Sequence, residues 1–145
     1  MFHKKYKYID LYYKDKNFTI CIGPAKPGIQ ELIFHENTKQ IADFAFCGEK
    51  SLEKITLPDN LEEIGKHAFE NCKNSKTINK FPPSLMLIGK EAFRFCDNLK
   101  HVDLSATKIK TMPCYVFSEI ETIKLPRFLR TLDSNCFASC RNLKK

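Results

Sequence analysis

Apolar and polar positions recur along this chain at a fixed spacing. The stretch "IGKHAFENC" (Ile64 to Cys72) returns 24 residues later as "IGKEAFRFC" (Ile88 to Cys96). Taking the recurrent phenylalanine as origin gives Phe46, Phe69, Phe93, Phe117 and Phe137, with steps of 23, 24, 24 and 20 residues. Five positions before each stands an apolar residue, namely Ile41, Ile64, Ile88, Met112 and Leu132. Eight before stand Thr38, Leu61, Leu85, Ile109 and Leu129, of which only Thr38 departs from the pattern. Nine residues after the Phe come Ile55, Ile78 and Val102, and eleven after come Leu57 and Leu104. The second unit has one extra residue, so Ile78 is followed by Asn79, Lys80, Phe81 and Pro82, which predicts a bulge or widened turn. The fourth lacks three residues between Phe117 and Ile123, hence the short last step. With the half unit "ELIFHENTKQIADFAF", about four and a half units fit between residues 31 and 145.

A unit this short, holding one alternating strand, cannot bury its own apolar face, whereas stacked copies bury a continuous core between them. The pattern therefore predicts a solenoid. In "KITLP", Ile55 and Leu57 fall on one face and Lys54 and Thr56 on the other, and Pro58 ends the strand. The spacing of Ile64, Ala68, Phe69 and Cys72 suits a short helical segment with one buried stripe, expected on the opposite wall. Residues 1–30 stand outside the repeat. There, "KKYKYIDLYY" and "FTICI", separated by the polar "KDKN", predict a β-hairpin, and "GPAKPG" reads as a break. Such a hairpin would either cap the core of the first repeat or pair with a second copy, with Tyr6, Tyr8, Tyr12 and Tyr13 supplying the contact surface in both cases. The organisation expected is a capping or self-associating β segment over 1–30 and repeats over 31–145.

The Leu-Pro turn, the Ile-Gly pair and the Ala-Phe-x-x-Cys segment recur in that order in "SLEKITLPDNLEEIGKHAFENCKN" and its relatives. In these features the chain resembles the BspA-like leucine-rich repeats of surface proteins from bacteria and parasitic protists, over about residues 31–145. The resemblance implies an α/β repeat fold: a short right-handed leucine-rich-repeat solenoid with a parallel concave sheet and irregular or short helical segments on the convex side. One departure is that Asn60 is followed directly by Leu61, where the common leucine-rich pattern has an apolar residue two positions on.

Composition adds limits. With 145 residues, 43% of them hydrophobic, the chain suits one folded or elongated domain. A net charge of +7 draws acidic partners through long-range fields, and the N-terminal segment is locally basic, although lysines there also blunt a strand edge. The run "MFHKKYKYIDLYYKDKNFTICIG" interrupts every short apolar stretch with Lys or Asp, and no stretch reaches bilayer-spanning length. This predicts a cytoplasmic or nuclear protein without a transmembrane segment, with the cell surface as the alternative. Seven cysteines, an odd number, favour free thiols.

The candidate chemistry points away from catalysis. Cys72, Cys96 and Cys140 each follow a repeat Phe by three residues, which makes a column rather than the converging set that zinc requires. Small buried thiols are the reading the column supports. At the position of His67, the other units carry Phe44, Glu91, Tyr115 and Asn135, which predicts an exposed helix-face residue. Five glycines leave little material for a phosphate loop. No catalytic residue, metal or cofactor is expected. The outward side chains of the strands remain, and we take Lys54, Thr56, Thr77, Asn79, His101, Asp103, Thr122 and Lys124 as the candidate partner-binding face. Strands about 4.8 Å apart make a face of roughly 20 Å, enough for a peptide or one side of a helix. The sequence thus predicts a non-enzymatic protein–protein interaction module or scaffold that binds an unidentified protein partner and self-associates as a homo-oligomer. The alternatives are an adhesin exported unconventionally and a basic nucleic-acid-binding protein, the latter recognisable by affinity that falls steeply with salt.

Overall fold

The structure, a computed structural model, describes residues 4–144. The first three residues of the predicted capping segment and the last residue of the predicted repeat region lie outside the described residues. Three strands open the fold: β1 (Tyr6–Tyr8), β2 (Leu11–Tyr13) and β3 (Ile20–Pro24). Five turns then follow, each with two short strands. These pairs are β4 (Glu31–Ile33) and β5 (Gln40–Ile41), β6 (Lys54–Thr56) and β7 (Glu63–Ile64), β8 (Thr77–Ile78) and β9 (Leu87–Ile88), β10 (His101–Asp103) and β11 (Thr111–Met112), and β12 (Thr122–Lys124) and β13 (Thr131–Leu132).

Strands at the same place in successive turns pair in parallel, so the molecule is a β-solenoid with two strand columns. In the first column, β4, β6 and β8 pair in order and β10 pairs with β12. In the second, β5, β7 and β9 pair in order and β11 pairs with β13. Alternation sets the core: Leu32, Ile55 and Val102 are buried, while the residues on either side of each are exposed.

The wall expected to be helical contains no helix, and the described residues form none anywhere. The cause is a left-handed residue two positions before and two positions after the repeat Phe. Phe44, His67, Glu91, Tyr115 and Asn135 hold the first place at φ 51–63°, and Gly48, Asn71, Phe95 and Glu119 hold the second at φ 56–79°. An α-helix of L-residues cannot pass through such a conformation. The amide bonding differs from a helix as well. Phe44, Phe46 and Gly48 donate across to Lys66, Ala68 and Glu70 of the next turn at 2.7–2.9 Å. The intervening Ala45, Cys47 and Glu49 donate back three residues to Ala42, Phe44 and Phe46 at 3.2 Å. A chain of tight turns therefore brings Ile64, Ala68, Phe69 and Cys72 inward, all buried. Their spacing matches one helical stripe although no helical period produced it. Left-handed non-glycine residues cost on the order of 1 kcal/mol each and persist where surrounding structure over-determines them, here through the bonds to the next turn.

Inside this arc the repeat phenylalanines stack. Phe46, Phe69, Phe93 and Phe117 are at most 1% exposed, with centroids 5.4, 5.1 and 5.5 Å apart and ring planes within 16° of parallel. Phe34 and Phe81 meet the stack edge-on at Phe46 and Phe93. Phe137, in the last turn, is only partly buried. Beside the stack, the thiols of Cys72, Cys96 and Cys140 donate to the carbonyls of Phe46, Phe69 and Phe117 at 3.2, 3.1 and 3.5 Å. Burial pushes the Cys72 thiol up to about 12 and that of Cys96 well above the ordinary thiol range. The column is thus structural, each thiol closing a carbonyl of the preceding turn.

The N-terminal segment is a three-stranded antiparallel meander, one strand more than the predicted hairpin, because "KKYKYIDLYY" itself folds back between Tyr8 and Leu11. β3 then pairs in parallel with β5, so the meander continues the second column. Tyr13, one of the four tyrosines expected either to cap the first repeat or to meet a second copy, is wholly buried. Its hydroxyl shares a hydrogen bond of 2.8 Å with Thr38 and accepts the His35 amide at 3.0 Å, and desolvation raises its pKa to about 12. Thr38, the polar exception in its column, is the residue that satisfies this buried hydroxyl.

One junction between turns differs from the rest. Neither β8 with β10 nor β9 with β11 forms a ladder. From Ile78 to Ile88 the chain takes ten steps where Ile55 to Ile64 takes nine, and the longer connection includes Pro82 and Pro83. On the second column, Gly65, Gly89 and Asp133 donate to Ile41, Ile64 and Met112 at 2.8–2.9 Å, but Pro113 stands at the matching place and has no N–H. Across this seam the turns are joined on the arc. There Phe93 bridges to Phe117, and Glu91 and Phe93 donate to Cys114 and Val116 at 3.1 and 2.9 Å. Lys108 adds a bond to Leu85 at 2.8 Å.

Candidate functional site

All eight side chains singled out from the sequence are exposed on the outward face of the first column. Pairing sets them in register: Glu31 beside Lys54 and Lys54 beside Thr77, then, beyond the seam, His101 beside Thr122 and Asp103 beside Lys124. The Lys54–Glu31 and Lys124–Asp103 ion pairs measure 3.5 and 3.7 Å and are open to solvent, so they cost little to break. His101 Nδ1 lies 2.8 Å from the Thr122 hydroxyl. The Ser105 hydroxyl and amide, at 2.6 and 3.0 Å, hold the Asp103 carboxyl below its usual pKa, with Lys124 adding to the effect. Asn79 differs from the other seven, since its side-chain oxygen accepts the Leu57 amide at 2.9 Å and so ties two turns together.

Two grooves meet at Asn79. The first, of about 670 Å³, runs past Thr56, Pro58 and Asn60 to His35 and Tyr8. Tyr8 packs there against Phe18 and His35, with centroids 5.7 and 4.7 Å away. The second, of about 560 Å³, lies over the seam and is lined by Ile78, Phe81, Val102 and Ala106 with Lys80, His101, Asp103 and Lys124 at its rim. The sequence reading found His101, Asp103 and Lys124 from strand alternation alone. It missed Lys80 and Phe81, whose signal was the extra residue that widens this connection, and Ala106 in the next turn.

On the arc, His67 is partly buried rather than an exposed helix-face residue. Its ring stacks on Phe44 at 4.6 Å, and its Nδ1 is hydrogen-bonded to Glu70 and lies 3.5 Å from Glu91. Arg94 reaches Glu91 at 3.2 Å while lying over the rings of Phe95 and Tyr115, 4.6 and 4.5 Å away. The donor atoms of His67, Glu70 and Glu91 lie within 4.8 Å of one another, close enough to share one cation. Glu91 is already matched by Arg94 and Lys90, so the set is built as an ion-pair network. The signal for it was the stacking of equivalent positions across turns, which brings His67 over Glu91.

The description "BspA type Leucine rich repeat region" matches residues 25–145, in six copies. Among solved structures, the leucine-rich repeat protein of T. pallidum is 25% identical with a TM-score of 0.76, the match covering 86% of this chain and 60% of that one. A leucine-rich repeat protein from Eubacterium ventriosum is 27% identical with a TM-score of 0.80, covering 92% of this chain and 36% of that one. A leucine rich cell surface protein from Faecalibacterium prausnitzii, 18% identical with a TM-score of 0.61, shares the fold, over 98% of this chain and 54% of that one. The chain thus spans less than two thirds of the length of these structures. No curated protein matches it.

Proposed function

Because the chain belongs to the BspA-type leucine-rich repeat family, we propose that it is a protein-interaction module that holds its partner on the outward face of the first strand column. One observation carries this reading: polar side chains stand in register on paired strands whose intervening residues are core, beside two grooves that meet at Asn79. Strands fixed from behind present side chains at low entropic cost, which favours specific docking. With a partner identified by cross-linking, the combined substitution Lys54→Glu, His101→Ala and Lys124→Glu should lower its affinity by at least about tenfold at unchanged melting temperature. Unchanged affinity would show that the partner binds elsewhere.

For self-association we propose β1, the end strand of its sheet, and not the buried Tyr13. β1 carries Tyr6, while Tyr12 lies across from Lys7 on β2. Removing residues 1–25 to test this would also remove β3 and uncover the core, so substitution is the better probe. Tyr6→Ser with Tyr12→Ser should shift the mass seen by light scattering from dimer to monomer; a monomeric parent chain would end the idea.

A further inference from the structure

We infer that the seam groove takes an extended peptide of the partner as an added strand between β8 and β10, selecting one that alternates apolar and acidic side chains. This rests on the interaction-face reading and names the kind of partner it would take. The two strands bordering the groove are both ends of ladders. β8 is the last strand of its three-stranded sheet, β10 is the first of the next, and no pairing joins them among the described residues. The bonds that the Glu121 and Thr122 amides donate to the Lys100 carbonyl of the preceding turn, at 2.7 and 3.1 Å, have no counterpart from Lys100 and His101 to Lys76. Two facing strand edges leave amides and carbonyls that only another extended backbone satisfies on both sides at once, as in β-strand addition.

The lining fits a strand in other ways. Ile78, Phe81, Val102 and Ala106 offer apolar floor to every second side chain of such a peptide, and Lys80 and Lys124 offer cationic ends to those between. Both lysines are engaged in long, exposed ion pairs, with Asp59 at 3.8 Å and Asp103 at 3.7 Å, which a peptide carboxylate replaces at little cost. Lys80 and Lys124 outnumber Asp103 among the charged rim groups, so an acidic segment is favoured over a basic one. No ladder joins β8 to β10, so a strand entering there breaks no existing strand pairing, while the arc holds the two halves through the Phe93–Phe117 stack at 5.5 Å.

The test uses the whole chain and three fluorescein-labelled, end-blocked heptapeptides: one alternating valine and glutamate, one alternating valine and lysine, and the acidic one with its central backbone nitrogens methylated. The acidic peptide should bind, and both others should bind at least about tenfold more weakly. Binding should also slow amide exchange at His101 and Asp103. Ala106→Arg, which fills the groove from an exposed position, should abolish peptide binding while leaving the melting temperature unchanged. Equal binding of the methylated peptide, or no binding of the acidic peptide, overturns the inference. If the face substitutions still release the protein partner in that event, the interaction-face reading stands without the added strand. If the acidic peptide binds but those substitutions leave partner affinity unchanged, it is the broader reading that falls.

Discussion

Truncation of Phe69 or Phe93 to alanine should lower unfolding stability by about 3–5 kcal/mol, the range for removing a fully buried aromatic ring and leaving a cavity. Each ring has a parallel neighbour on both sides, within 5.4 Å for Phe69 and 5.5 Å for Phe93. Each hole therefore opens between two turns on either side, and neither flank can close without shifting the bonds of the arc. Phe137→Ala, at the partly buried end, should cost clearly less. The two central variants should also differ from one another. Around Phe69 the turns are still held by both strand columns, whereas Phe93 adjoins the seam, where the arc does most of the joining. In urea, Phe69→Ala should unfold in one transition with an earlier midpoint. Phe93→Ala should broaden the transition and lower its slope, because the turns before and after the seam lose their coupling. Near-parental midpoints for both would contradict the stacked core.

A second large effect should come from a single methyl group. A Cβ at Gly89 would lie 2.4 Å from the Lys66 nitrogen and 2.5 Å from the Gly65 carbonyl carbon, and one at Gly65 would lie 2.5 Å from the Asp43 nitrogen. The atoms named are backbone, so no side chain swinging away relieves these contacts. Gly65→Ala or Gly89→Ala should cost at least the roughly 1–3 kcal/mol of an overpacked core. The glycine after isoleucine is needed for close approach between turns rather than for a special dihedral angle. Gly48 is the contrast. It sits at φ 79° with open space around its missing Cβ, and the equivalent Asn71 adopts φ 63°. Gly48→Asn should therefore change stability by less than about 0.5 kcal/mol. Comparable losses for all three in thermal melts would overturn this division of roles.

Much of this was legible in the sequence because the core positions repeat. Ile55, Leu61, Ile64 and Phe69, with their counterparts, identified the inward residues and the stacked architecture, and strand alternation placed Lys54, His101 and Lys124 outward. The error on the arc has a definite origin. Offsets of four, five and eight residues are produced equally by one helical stripe and by a run of tight turns, and the residues that decide between them, among them His67 and Glu91, have no common side-chain chemistry. A left-handed backbone occupied by Phe, His, Glu, Tyr and Asn in successive units leaves no compositional trace. In sequence, the buried Tyr13 looks like the partly buried Tyr6, Tyr8 and Tyr12; Thr38, the one polar residue in an apolar column, was the available clue to its burial. The seam was spelled out by Pro82, Pro83 and Pro113, though only the extra residue before them drew attention.

That seam also bears on how the molecule carries load. Tension applied along the stacking axis is shared, at most junctions, between two strand ladders and the arc. At the seam it falls mainly on the Phe93–Phe117 bridge and the few backbone bonds that accompany it. Under pulling, the chain should part there first into two blocks that keep their internal pairing. A tether built from this solenoid would then yield in a defined place and recover by re-docking one aromatic face on another.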